Sequence, residues 1–438
     1  MALLDRAPQI LHPAPDLELL YLPEPRFKRA LLQLHFDQPL ADGSSPARTL
    51  LCRVLEQGTR GLPTQMHLTR REEQLYGASV GVDGERLSEV HRVHLSLAWV
   101  GERFLPAGSD VEEGILGLGR ELLEDPCRDP GGSFPEATVV RERDQLVRRI
   151  RSLQDDRDSY ARERFVAEMC AGEPFGTPPW GTEEQVLELG SESLEDARSG
   201  MLDGASLSAL LVGPVLPQRA MEQLSEWFGA GGVRGGGPRP LPPAPLLKRP
   251  RELREVREEL AVDQARFQFG FRFQPPEDAA AFEALSLASS ILGGGSHGRL
   301  FRIVREERSL CYGIYSTVRT RKGILAVGAG IDAGSYEEVR DEVLKQVAVV
   351  AAGGWREEEE HAARASVLNR LDSLGDSPGA VAQFIERERL LGFRRSPARR
   401  AQDLSAVTRE QIAAAAAGWQ PDLVYLLAGA AAPAEVAS

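Results

Sequence analysis

A segment rich in glycine and proline divides this chain nearly in half. Residues 229–250 read GAGGVRGGGPRPLPPAPLLKRP, and glycine and proline at this density disfavour both a helix and a central strand. The segment therefore predicts a linker that is flexible first and extended afterwards. It separates a first domain at residues 1–228 from a second domain at residues 251–438, and two halves of similar size suggest an internal duplication.

Three short sequences recur in the same order in both halves. They are LYGAS at 75–79 and LCYGIYS at 310–316, IRSLQD at 150–155 and LDSLGD at 371–376, and ALLVG at 209–213 and YLLAG at 425–429. The offsets of the three pairs, 236, 221 and 216 residues, shrink steadily along the chain. Insertions or deletions in one half would produce that trend, so the sequence predicts a duplicated unit of about 200 residues.

Each half shows the same succession of strand and helix patterns. An alternating strand at residues 29–36 or 265–273 comes first, and a second strand at residues 90–100 or 324–331 follows after helical segments. Two amphipathic helices and a short apolar strand complete each half. Because neighbouring strands look linked as hairpins, we expect an α+β fold of two homologous domains, each a mainly antiparallel sheet covered by helices. One strand face carries four aromatic residues and is expected in the core: Phe267, Phe269, Phe271 and Phe273.

Composition limits the partners that the chain can have. Lys and Arg number 52 against 65 Asp and Glu, and the formal net charge of −13 disfavours nucleic acid and anionic membranes. Asp5 and Arg6 stand where a signal peptide needs apolar residues, and no uncharged run reaches the roughly 18 residues that span a bilayer. Four well-separated cysteines without a C-x-x-C pair favour a reducing compartment: Cys52, Cys127, Cys170 and Cys311. We therefore expect a cytoplasmic protein.

The histidines do not form a familiar zinc site. Neither H-E-x-x-H nor H-x-x-E-H occurs among the seven of them. His91 and His94 are three residues apart in a predicted strand, so their side chains belong on opposite faces of the sheet. The sequence thus predicts no metal in this chain.

A glycine-rich run at residues 293–298, GGGSHG, looks at first like a phosphate-binding loop. A strand should precede such a loop and Gly-Lys-Ser/Thr should end it, and both features are missing here. Two interpretations remain open. The run is either a turn between packed helices or a backbone surface, formed by Gly293, Gly294 and Gly295, for an extended peptide.

Residues 299–313, RLFRIVREERSLCYG, carry a resemblance to a known family. Together with the glycine run before them, they resemble the second-half signature of the insulinase/pitrilysin (inverzincin) zinc peptidases. In the first half, LEQGT at 55–59 resembles the stretch after the zinc motif of that family, and VVRERDQLVRRI at 139–150 resembles the helix that carries its distal zinc-binding glutamate. The resemblance implies two similar domains that face each other as a clam, so that this chain would form a half-chamber.

The same resemblance places the zinc positions on residues that do not bind zinc. Counted back from Gly58, the two histidines and the glutamate of the family correspond to Thr49, Arg53 and Cys52, and the distal ligand corresponds to Arg149. A single cysteine does not hold zinc, and a permanent cation repels it. The chain on its own is therefore not expected to hydrolyse peptides by the mechanism of the family.

Two residues that active relatives use to hydrogen-bond the substrate are kept. They correspond to Arg305 and Tyr312, seven residues apart, and on a single helix that spacing would turn both side chains to one side. A guanidinium and a phenol are suitable donors to a carbonyl oxygen that gains charge. The alternative is that Arg305 is a surface residue paired with a glutamate and that Tyr312 is half-buried in the core.

Two functions follow from this interpretation. In the first, the chain is the Arg/Tyr subunit of a heterodimer whose partner carries H-x-x-E-H and the zinc, and both chains bind a peptide substrate. In the second, it is a non-catalytic scaffold or peptide-binding protein that reuses the peptidase fold. A homodimer is the other assembly that the resemblance allows.

Overall fold

A computed structural model describes residues 5–40, 43–229 and 252–429. Contacts divide these residues into two units. The first contains 5–40, 43–152, 177–229 and Leu374–Pro397, and the second contains Leu153–Gly176, 252–373 and 398–429. The predicted linker at 229–250 lies, beyond Gly229, outside the described residues.

The first unit is built on a six-stranded sheet in the order β1-β2-β6-β3-β5-β4. The strands are β1 (Gln9–Ala14), β2 (Leu17–Pro23), β3 (Arg29–Pro39), β4 (Ser79–Leu87), β5 (Val90–Val100) and β6 (Ser206–Gly213). The helices are α1 (Ser45–Leu55), α2 (Gln65–Gln74), α3 (Val111–Glu124), α4 (Glu136–Ser152), α6 (Glu183–Leu187), α7 (Ser191–Gly204), α8 (Pro217–Phe228) and α12 (Pro378–Leu390). All neighbouring strands are antiparallel except β2 and β6.

The second unit repeats this arrangement with a five-stranded sheet in the order β7-β11-β8-β10-β9. The strands are β7 (Arg254–Glu259), β8 (Ala265–Arg272), β9 (Cys311–Arg319), β10 (Ile324–Ile331) and β11 (Gln420–Ala428). The helices are α5 (Arg157–Met169), α9 (Ala279–Gly293), α10 (Tyr336–Ala351), α11 (Glu357–Asp372), α13 (Pro397–Ala406) and α14 (Arg409–Ala417), with a π-helix at Leu300–Glu307. Its one parallel pair, β7 with β11, corresponds in position to β2 with β6.

Alternating side chains explain both cores. Phe267, Phe269 and Phe271 are fully buried on one face of β8, and Phe273 just beyond the strand is 4% exposed. Leu32, Leu34 and Phe36 fill the same role on β3. The prediction of an α+β fold with two mainly antiparallel sheets covered by helices is confirmed. Within the described ranges, no helix is both long and apolar enough to cross a bilayer.

The two units exchange one segment each. Leu153–Gly176, which carries α5, belongs to the second unit, whereas Leu374–Pro397, which carries α12, belongs to the first. The two segments start at Leu153 and Leu374, which are 221 residues apart. This is the same offset as that between the matching sequences IRSLQD and LDSLGD. The exchange is therefore reciprocal and occurs at equivalent points of the duplicated sequence.

A buried arginine on each sheet binds the segment received from the other half. In the first unit, Arg92 on β5 holds Asp37 of β3 in a two-pronged contact at 2.6 and 2.7 Å and also pairs with Glu386 of α12. In the second unit, Arg272 on β8 pairs with Asp422 of β11 at 2.9 Å and with Glu173 of the received segment at 2.8 Å. Because a guanidinium offers five donors in a fixed fork, one arginine can join a strand to the received segment in this way.

We expect Glu386→Gln to lower the free energy of unfolding of the chain by about 1.5–3 kcal/mol at neutral pH, because a buried charge-assisted contact is weakened. Burial acts to raise the pKa of Glu386, but the charges of Arg92 and Arg389 outweigh it and hold the pKa below its ordinary value of 4.5. A carboxylate with a lowered pKa stabilises the fold above its unfolded pKa and loses that effect as the pH falls.

The measurement is urea unfolding of wild type and variant from pH 7 to pH 3. The difference between them should shrink below about pH 4.5, where the unfolded carboxylate begins to bind a proton. Glu277→Gln, the same change at an exposed position, serves as the control. A Glu386→Gln curve that coincides with that of the control at pH 7 would show that this contact does not hold α12.

Candidate functional site

The three positions of the degenerate zinc motif lie on α1, but their side chains are engaged in different places. Thr49 donates its hydroxyl to the carbonyl oxygen of Pro179 at 2.9 Å. Cys52 is 3% exposed in the core of the first unit, and burial raises the pKa of its thiol far above the ordinary value. Arg53 alone extends toward α4. These residues do not form a set of converging ligands.

Arg53 forms an ion pair with the buried acid of α4. Its Nη2 lies 3.1 Å from Oε2 of Glu142 and 2.8 Å from Oε1 of Gln145. Glu142 is only 3% exposed, and Nε of Arg141 contacts its other oxygen at 3.1 Å. Two guanidinium groups therefore already satisfy the one buried carboxylate here, and they would repel a divalent cation.

The residues present do not fit a zinc ion. In the part of the chain that the structure describes, no group of three or more His, Cys, Asp or Glu side chains could hold a metal. Arg149 lies two turns beyond Glu142 on α4 and is exposed. The structure thus brings Glu142, rather than Arg149, to Arg53. In the sequence, Glu142 served only to locate the distal ligand position seven residues further on. Its pairing with Arg53 was not predicted.

An open cleft of about 570 Å³ surrounds this pair in the first unit. Its walls mix both signs of charge with amide and apolar side chains: Arg53, Val54, Glu56, Gln57, Pro63, Thr64, Gln65, Met66, Cys127, Pro135, Thr138, Arg141, Glu142 and Gln145. Met66 at the cleft is 55% exposed. The cleft thus offers charged, polar and apolar side chains to a ligand.

In the second unit, the glycine run ends α9 and packs on β9. A Cβ atom on Gly293 would stand 2.4 Å from Oγ of Ser316, so only glycine lets the helix end approach this strand so closely. Gly294 follows as the C-cap, and Gly295 has a φ of +115°, which favours glycine. Packing thus explains Gly293 and Gly295 as parts of a tight turn. A peptide contact by the run stays a prediction.

Arg305 and Tyr312 lie together, but a single helix does not carry both. Arg305 is in the π-helix Leu300–Glu307, whereas Tyr312 is the second residue of β9. Ser309 between them has a φ of +54°, a left-handed conformation that ends the helix. The expectation of one continuous helix is therefore wrong, and a tight connection brings the two residues together instead.

Arg305 is held by two contacts of different kinds. Its Nε donates to the carbonyl oxygen of Tyr312 at 2.9 Å, and its guanidinium carbon lies 4.4 Å from the centre of the Phe301 ring. Its remaining N–H groups make no hydrogen bond within the described residues, unlike those of nearby Arg302, which pairs with Glu307 and Glu359. The stacking and the single hydrogen bond orient the guanidinium and leave its outer edge for a ligand.

The Tyr312 side chain is 69% exposed, so the half-buried core position considered from the sequence is wrong. Arg305 is also exposed and pairs with no glutamate among the described residues. A guanidinium edge and a phenol thus lie at neighbouring positions on the surface of the second unit. Both are donors, and together they can bind a carbonyl oxygen.

Comparison with known proteins agrees with this description. A family profile described as "Peptidase M16 inactive domain" matches residues 189–367. The probable inactive metalloprotease YmfF of Bacillus subtilis is 26% identical over 404 residues, which cover 92% of this chain and 94% of that protein.

Two solved structures have the same fold. A conserved protein from Enterococcus faecalis superimposes with a TM-score of 0.87 at 22% identity, over 98% of this chain and all of that one. A peptidase M16 inactive domain from Pseudomonas fluorescens gives a TM-score of 0.80 at 18% identity, over 97% and 99% of the two chains. These matches show that the chain is similar to inactive members of the peptidase M16 family, over residues 189–367 in the family profile and over most of its length in the Bacillus subtilis relative.

Proposed function

We propose that this chain is the non-zinc-binding subunit of a two-chain peptidase and that it supplies Arg305 and Tyr312 as donors to the substrate. The observation that carries the proposal is the contrast between the two units. In the first, Arg53, which corresponds to one zinc-binding histidine of the family, is paired with Glu142 of α4. In the second, both Arg305, whose guanidinium donates to the Tyr312 backbone, and the Tyr312 side chain are exposed.

The chemistry of peptide hydrolysis explains why such donors matter. When water attacks a peptide carbonyl, the oxygen gains negative charge, and donors already fixed in place stabilise it. A zinc-bearing partner would supply the activated water. The Nε of Arg305 already donates to the Tyr312 backbone, so Arg305 would hydrogen-bond the substrate carbonyl oxygen through its outer N–H groups. The phenol of Tyr312 would donate a hydrogen bond to the same oxygen or to the next carbonyl.

A homologous H-x-x-E-H chain is the partner that this division of labour requires. Members of the family often work as paired subunits. A homodimer of this chain would hold two Arg305–Tyr312 pairs and two Arg53–Glu142 pairs, and so would lack activated water. We therefore favour a heterodimer located in the cytoplasm, with the Gly293–Gly295 turn beside the bound peptide.

The second candidate is a scaffold or peptide-binding protein without any part in catalysis. The contacts of Arg305 favour this candidate. Its hydrogen bond to the Tyr312 carbonyl oxygen and its stacking on the Phe301 ring can be explained as structural contacts alone. Under that interpretation, Arg305 would fasten the π-helix to the start of β9, and the exposed phenol would have no ligand.

Activity of the mixed chains separates the two candidates. This chain combined with the H-x-x-E-H chain of the same cell should cleave quenched fluorescent peptides, and Arg305→Ala or Tyr312→Phe should reduce kcat/KM at least tenfold. Loss of one oxyanion donor typically reduces the rate by about 100- to 1,000-fold. Each chain alone should show little or no cleavage.

Matched variants control this experiment. Arg257→Ala removes an exposed arginine of the same unit, and Tyr76→Phe removes the hydroxyl of another exposed tyrosine. Both should leave kcat/KM unchanged. Two results would support the scaffold instead: a mixture that does not cleave the peptides, or an active mixture whose kcat/KM is unchanged by the Arg305 and Tyr312 substitutions.

The purified chain should also bind no zinc, because Arg53 and Arg141 already pair with Glu142, the buried carboxylate of α4 beside α1. Calorimetric titration with zinc should show no saturable site, and elemental analysis after dialysis should find no stoichiometric metal. The zinc-bearing partner provides the positive control. One retained equivalent of zinc that disappears in Glu142→Gln would contradict this assignment of the site.

A further inference from the structure

Strand β4 lies at an open edge of the first sheet and pairs with β5 alone. Along the edge strand of an antiparallel sheet, every second residue points its N–H and C=O away from the neighbouring strand. Those groups can pair with an additional strand, either from another protein or from an extended peptide. The outward N–H groups of β4 thus determine whether this edge accepts such a partner.

Three successive outward amides of β4 are already occupied by carboxylates. The amide of Val80 donates to Glu72 at 2.9 Å, and the amide of Val82 donates to Glu56 at 2.9 Å. The amide of Gly84 donates to the neighbouring Asp83 at 2.8 Å. The alternation 80, 82, 84 matches the outward-facing positions of an edge strand, so the row of donors is filled over this stretch.

The carboxylates come from separate elements that converge on the strand. Glu72 lies on α2, and Glu56 is the C-cap residue of α1. Neither Glu56 nor Glu72 forms an ion pair within the described residues, although many arginines of the chain pair with acids. Both are committed to backbone amides.

We propose that β4 is an edge closed by its own side chains, and that Glu56 and Glu72 exclude an extended peptide from pairing with it. An added strand would bring carbonyl oxygens to the amides of Val80 and Val82, where carboxylate oxygens now lie. The incoming carbonyl groups and the carboxylates compete for the same protons, and hydrogen bonds to a charged acceptor are the stronger ones. The closed edge is independent of the role proposed for Arg305 and Tyr312, which lie in the other unit.

Hydrogen exchange of single amides tests the contacts themselves. In the wild-type chain, the amides of Val80 and Val82 should be protected despite their outward position. Glu56→Ala should reduce the protection of Val82 at least tenfold and leave Val80 protected, whereas Glu72→Ala should do the reverse. Glu73→Ala, an exposed neighbour on α2, should change neither. Exchange that is equally fast in wild type and variants would overturn the proposal.

Peptide binding tests the consequence. The probe is a fluorescein-labelled nonapeptide of alternating valine and threonine with a lysine at each end, and the control is the same peptide with both of its hydrogen-bonding edges blocked by N-methylation. In fluorescence anisotropy, the Glu56→Ala/Glu72→Ala double variant should bind the probe at least tenfold more tightly than wild type does. It should not bind the N-methylated control peptide.

Two results would overturn the proposal: equal binding of the probe by wild type, or no binding by a double variant whose Val80 and Val82 amides have lost protection. If the double variant does not fold, Glu56→Gln/Glu72→Gln serves in its place, because it keeps the shape of the side chains and weakens only their charge. This variant should bind the probe more tightly than wild type, and equal affinity would count against the closed edge.

Discussion

The architecture depends on two buried arginines, Arg92 and Arg272, which each join a central strand to a segment received from the other half of the sequence. Each arginine binds a strand carboxylate and a carboxylate of the received segment: Asp37 and Glu386 in one unit, Asp422 and Glu173 in the other. A buried guanidinium is costly to desolvate, and fixed partners on both elements offset that cost. Each unit is therefore covered in part by a helix that comes from the other half of the sequence.

The same principle explains how a metalloprotease fold persists without its metal. A buried carboxylate such as Glu142 needs a compensating charge, and Arg53 supplies it with an ordinary ion pair. This exchange keeps α1 and α4 together and abolishes the Lewis acid. In the second unit, no such substitution has occupied Arg305, whose outer N–H groups have no hydrogen-bond partner within the described residues. In the described residues, the first unit thus pairs its buried acid with a guanidinium, whereas the second presents exposed donors.

Much of the fold can be predicted from the sequence because strict alternation leaves little freedom. The predicted strands at 90–100 and 324–331 coincide with β5 and β10, and the phenylalanines of β8 lie in the core. Periodicity cannot show which sheet a helix covers, so the exchange of α5 and α12 could not be predicted. The position of Tyr312 was missed because counting along a helix assumes that the helix continues, and the left-handed Ser309 ends it. The Arg53–Glu142 contact joins residues 89 positions apart, which local patterns do not connect.

The most direct test is the affinity of the proposed two-chain enzyme for a phosphinic peptide, which imitates the tetrahedral intermediate. If Arg305 and Tyr312 act on the developing oxyanion, Arg305→Ala should weaken inhibition by the phosphinic peptide by the same factor as it lowers kcat/KM, and it should change KM much less. If inhibition is unchanged by the substitution, Arg305 does not contact the transition state, and the proposed division of labour between the chains is wrong.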